Sequence, residues 1–191
     1  MRLTRRPWIW FLRLRHRCGY GVHSPFAFGF ITDVIYERTP YYAYRELAGL
    51  HPWWVRWLGL YPLTCRRMLF RLANFVHPRT MLLLGDRPIE RQYISAAVPS
   101  ARWIKGEAAG DNAPDFVFVA HEQLAQTADF IGQMPANGAM MLEGIHEDSE
   151  ALRLWHSLQA DSRTGITFDL YTYGIILFNT SLNKQHYIVN F

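Results

Sequence analysis

The sequence is poor in cysteine and in long apolar runs, and each shortage closes off a class of protein. Two cysteines in 191 residues, Cys18 and Cys65, give no basis for a disulfide framework or a thiolate metal cluster. No apolar run approaches the roughly 18 residues that span a bilayer. The patch from Trp8 to Leu12 is too short for the core of an export signal, and Arg13, Arg15 and Arg17 close it at once. The expectation is a cytoplasmic protein. Charged residues make up only 19%, while hydrophobic residues reach 50%. That balance argues against disorder and supplies one good-sized core, or one core with a helical extension. There is no internal repeat, no G-x-S-x-G elbow, no Walker loop and no H-E-x-x-H pair.

What is present is unevenly spread. Eighteen of the twenty basic residues are arginine. Residues 1–79 carry thirteen arginines against Asp33, Glu37 and Glu46, a balance of +10. Residues 80–191 carry seven basic residues against thirteen acids, a balance of −6, and the two halves sum to the net +4. Five of the seven tryptophans lie in the first 57 residues. A basic, aromatic half suits RNA phosphate, an anionic membrane surface or an acidic partner. It equally suits packing against the acidic half of its own chain, or of a second subunit in a homodimer.

Along the chain, residues 7–15 can begin a short helix. Ser24 followed by Pro25 is a helix start, a hydroxyl cap and then a preset φ. Ser24 is therefore read as a cap and not as a hydrolytic nucleophile beside His23. A helix is expected from Pro25 to about Arg38, with Phe26, Phe30, Ile31, Val34 and Ile35 at helical spacing. Residues 40–64 read as irregular to helical, with Trp53, Trp54 and Trp57 packed beneath this cap. An amphipathic helix follows over 64–76. Short strands are expected at 81–84, 101–105, 115–120 and 139–142, alternating with helices near 89–98, 123–134 and 149–160. Continuous apolar strands between helices imply a parallel sheet buried on both faces. The end changes character: strands at 166–171 and 175–178, turned at Tyr173-Gly174, then a last strand at 185–191. They add an antiparallel hairpin.

Three segments carry a resemblance: GYGVHSPFAFGFITDVIYE with the nearby YYAY, RRMLFRLANFVHPRTMLLLG, and TFDLYTYGIILFNTSLNKQHYIVNF. With the order of elements, they resemble a bacterial branch of the class I S-adenosylmethionine-dependent methyltransferases. The resemblance implies an α/β fold, a Rossmann-like methyltransferase-type three-layer sandwich. Its sheet is mostly parallel, of around six strands, with an antiparallel strand near one edge and an antiparallel C-terminal hairpin. The division is a helical, basic and aromatic N-terminal cap over 1–64 and the core over 65–191. The resemblance also implies S-adenosylmethionine as cofactor, with Gly85 as the first glycine of the turn after the first strand, Asp86 beside it, and Glu107 as the acid that holds the ribose.

The chain departs from that pattern in three places. The expected glycine-rich turn reads GDRPIERQY, where Asp86, Arg87 and Pro88 add side chains and Pro88 removes an N–H. Only AAGDNAP separates Glu107 from the next strand, so the third strand of the family should be missing. The later strands end VFVAHE and MLEGI where relatives carry other acidic patterns. The expectation is a methyltransferase-like protein with a degenerate cofactor loop and weak or no cofactor binding, acting through a partner. The alternatives are an active methyltransferase with a rebuilt loop, or a module binding RNA or an anionic membrane. Ligands of open α/β sheets bind beyond the carboxyl ends of the strands. There His121, Glu122, Glu143 and His146 are candidate crevice residues, able in principle to do acid–base chemistry. No spacing motif assigns them a metal.

Overall fold

The computed structural model describes residue 13 and residues 21–57, 61–104 and 113–191. The expected helix over 7–15 (Arg13 apart), Cys18, Lys105 and Glu107 lie outside the described residues.

Helix α1 (Pro25–Phe30) starts as its sequence dictates, with Ser24 Oγ accepting the Ala27 N–H at 3.3 Å. It does not run on to Arg38 as one α-helix. The chain widens into a π turn over Ile31–Ile35 and ends at Tyr36. The cause lies in another element. The buried Arg71 guanidinium donates from Nε to the Val34 carbonyl at 2.6 Å and from Nη2 to the Ile35 carbonyl at 2.8 Å. Those are carbonyls that a further helical turn would need. Two short helices follow, α2 (Ala43–Leu47) and α3 (Trp53–Trp57). The long α4 (Tyr61–Val76) buries Met68, Leu69, Leu72 and Ala73 at helical spacing.

The core then alternates: β1 (Thr80–Leu84), α5 (Pro88–Ala97), β2 (Arg102–Trp103), β3 (Phe116–Val119), α6 (Thr127–Ile131), β4 (Ala139–Glu143), α7 (Ser149–Ala160) and the terminal strands β5 (Ile166–Asp169), β6 (Tyr173–Leu177) and β7 (His186–Ile188). The sheet has seven strands in the order β2-β1-β3-β4-β6-β5-β7, where around six were expected. Strand β6 runs antiparallel to both its neighbours, β4 and β5, and every other pairing is parallel. This is a Rossmann-like, methyltransferase-type sheet with its one reversed strand third from the edge. Strand alternation divides the core. Phe116, Phe118, Met141 and Phe168 face α1 and α4, while Val117, Val119, Met140 and Leu142 face α7 and the α6 segment. With both faces covered, the central strands β1, β3 and β4 are almost wholly apolar, whereas the edge strands β2 and β7 carry the exposed Arg102 and His186.

Three local expectations differ. The helix expected over 123–134 is a six-residue 3-10 segment, His121–Gln126, running into α6. The hairpin turns at Leu170–Thr172, before Tyr173-Gly174, because the Asp169 carboxylate accepts the Tyr171 N–H at 2.8 Å and folds the chain back two residues sooner. The last strand, expected over 185–191, is confined to His186–Ile188. Beyond it the chain leaves the sheet: Asn190 is buried, and its carbonyl accepts from the Tyr36 hydroxyl of the cap.

Candidate functional site

Gly85, at φ +106°, directly follows the first strand. A Cβ there would lie 2.5 Å from the Ala120 Cβ at the end of β3, so this close approach of two strand ends requires glycine. Asp86 is exposed. Arg87, the next residue, reaches across the strand ends. Its Nε donates to Glu143 Oε2 at 2.9 Å, and its Nη1 and Nη2 donate to the two carboxylate oxygens of Glu122, each at 2.9 Å. One guanidinium thus joins the loop after β1 to the ends of β3 and β4. The fork is geometrically specific, although Glu122 is half in solvent and each pair there is worth at most about 1 kcal/mol. The Glu122 carboxyl is held below its ordinary pKa by its own backbone N–H and by Arg87.

His121 lies beside this fork. Its Nε2 is 3.3 Å from Asp148 Oδ2, and its Nδ1 is buried without a hydrogen-bond partner. Gly144, at φ +77°, allows the contact, since a Cβ would sit 2.6 Å from that Nδ1. Asp148 also caps α7, accepting the Glu150 and Ala151 N–H groups at 2.8 Å. A cavity of about 300 Å³ opens here, bordered by His121, Glu122, Asp148 and Glu150. Its acidic rim repels anions.

His146 belongs to a second cluster. Its Nε2 is 2.7 Å from Asp169 Oδ2 at the end of β5. Asp169 is 6% exposed and also accepts from Arg13 Nη1 at 2.8 Å. Burial pushes its carboxyl pKa up, but the hydrogen bonds from His146 and Arg13 outweigh that and hold it at about 2. Tyr171, at φ +69°, stacks its ring on His146 with centroids 4.8 Å apart, and Arg13 lies over the same ring at 5.2 Å.

The candidate residues therefore divide between two clusters. Glu122 and Glu143 meet on Arg87 with His121 adjacent, and His146 pairs elsewhere with Asp169. No group of three His, Cys, Asp or Glu among the described residues could hold a metal ion. The sequence reading missed Arg87 as the hub, and Asp169 and Tyr171 altogether. The sequence does carry a signal for Asp169, which ends β5 as Glu143 ends β4.

The tryptophans of α3 require a correction. Trp53, Trp54 and Trp57 are not packed beneath the cap; they are 74%, 47% and 78% exposed. A five-residue helix can bury only one face, and Val55 takes that place in the cluster of Tyr44, Leu47, Leu63, Phe70 and Tyr93.

No family model matches the chain. No curated protein matches it either. Among solved structures, it is similar to the SAH-bound methyltransferase PaMTH1 of Podospora anserina, at 11% identity and a TM-score of 0.44, over 74% of this chain and 98% of that one. A likeness this distant transfers no residue role.

Proposed function

We propose that this chain is a methyltransferase-like protein that has lost the family's way of holding S-adenosylmethionine and acts by binding a partner through its arginine- and tryptophan-rich cap. The observation that carries this reading is Arg87. The family's turn needs open backbone N–H groups after the first strand. Here a guanidinium fork on Glu122 and Glu143 fills the space between the strand ends, and Pro88, in the first turn of α5, contributes no N–H. These residues do not fit the cofactor's usual cradle. Gly85, Asp86 and Glu107 are the positions through which any retained cofactor would be held, and Glu107 lies outside the described residues.

The partner that best suits the cap is an anionic membrane surface. Three exposed tryptophans on one short helix, in a half of the chain with a balance of +10, combine interfacial anchoring with charge attraction. No helix among the described residues is long and apolar enough to cross a membrane, so the attachment would be peripheral.

A calorimetric titration of the folded protein with S-adenosylmethionine and S-adenosylhomocysteine tests the first part. No heat up to millimolar ligand is expected. Micromolar affinity that disappears in Glu107→Ala would overturn the reading in favour of an active methyltransferase with a rebuilt loop.

A further inference from the structure

A second cavity, remote from the strand ends, has the opposite chemistry. It lies where the π turn, α4 and the C-terminal tail meet, and encloses about 500 Å³. Arg38, Arg67 and Arg71 all line it, with the hydroxyl-bearing Tyr44 and Thr64. Among the described residues none of the three arginines forms an ion pair. Glu37 is the one carboxylate side chain in the lining, and it is turned to the Thr39 N–H at 2.6 Å.

The arginines are held in different ways. Arg71 is 5% exposed and fixed by the Val34 and Ile35 carbonyls, which leaves its positive charge in place with no counter-charge paired to it. Arg67 lies over the Tyr44 ring, 5.0 Å from its centroid, and its Nε is buried with no hydrogen-bond partner. A buried donor left unmet is costly and rare. Arg38 stands exposed at the mouth. The Tyr44 hydroxyl donates to the Arg67 carbonyl at 3.3 Å and accepts from Arg71 Nη1 at 3.4 Å, which fixes the two arginines relative to each other.

We infer that this cavity binds a small molecule carrying a phosphate monoester. Three guanidinium groups line one cavity, and a tetrahedral phosphate offers their N–H donors more acceptor oxygens than a planar carboxylate does. The space falls within the roughly 300–1,000 Å³ of small-molecule sites and is too large for the phosphate alone. The Ile35, Tyr44 and Phe191 walls receive the remaining, apolar or aromatic part.

The test is calorimetry at constant ionic strength with phenyl phosphate, inorganic phosphate and benzoate, on the wild-type chain and on Arg38→Ala and Arg67→Met. Phenyl phosphate is expected to bind about tenfold more tightly than either of the other two. Each substitution should weaken it about tenfold, because each removes one charged donor from the phosphate. The unliganded Arg67→Met protein should unfold at a midpoint no lower than wild type, since an unmet buried donor has gone. Absence of heat with phenyl phosphate at millimolar concentration overturns the proposal, as does undiminished binding by both variants. Equal affinity for benzoate overturns the phosphate assignment. Should Arg67→Met fail to fold, the exposed Arg38→Ala decides alone.

Discussion

His146 Nε2 and Asp169 Oδ2 lie 2.7 Å apart, joining the loop after β4 to the end of β5, and Arg13 reaches the same carboxylate from a distant part of the chain. Asp169 thereby ties three segments to one buried charge.

That charge should govern acid stability. The folded pKa of Asp169, about 2, lies below the ordinary 3.8. Its contribution is therefore complete above the unfolded value and is lost as pH falls through the folded one, between about pH 4 and pH 2. The shift corresponds to about 2 kcal/mol. Asp169→Asn should cost about that much at pH 7 in urea unfolding, and should flatten the wild-type loss of stability between pH 4 and pH 2. A variant as acid-sensitive as wild type would show that other carboxylates carry the transition.

Gly85→Ala should destabilise the chain by about 3 kcal/mol, combining a side chain at positive φ with a collision against Ala120. The double variant Gly85→Ala/Ala120→Gly should recover the steric share and leave the backbone share. Denaturant titration of the four proteins of the cycle separates the two. Full recovery would mean that the φ of +106° carries no cost.

Replacing Trp53 and Trp57 together by serine should leave the unfolding free energy within about 0.5 kcal/mol of wild type, since both side chains face solvent. Co-sedimentation with phosphatidylserine-containing vesicles should fall about tenfold or more, and raised salt should weaken the wild-type binding. Vesicle binding that ignores the substitution, or binding to single-stranded RNA with none to vesicles, would overturn the membrane assignment.

Much of the architecture was legible because it rests on local signals. The strand Met81–Leu84 was bounded by His77-Pro78 and Gly85, and Ser24-Pro25 marked a helix start that the Ser24 side chain does cap. Where a distant residue intervened, local reading failed. The helix after Pro25 was expected to reach Arg38, and Arg71 ends it at Tyr36 by taking two of its carbonyls. The tryptophans of α3 were expected beneath the cap because they are large and apolar. Helix length and the position of Val55 put them in solvent instead.

The candidate site divides along the same line. That Glu122, Glu143 and His146 would stand at strand ends follows from their order in the chain, since strand ends in a parallel sheet gather on one side. That Arg87 would lie between Glu122 and Glu143, and that His146 would turn instead to Asp169, depends on distances between residues up to 56 positions apart. By itself the sequence determined an α/β chain with a mostly parallel sheet, a reversed strand near its end and a sharp division of charge, because periodicity, turn residues and composition act within a few residues. The tertiary structure alone decided which charges neutralise one another, which arginines are left around a cavity and which tryptophans are exposed, because burial and ion pairing depend on what the folded chain brings alongside.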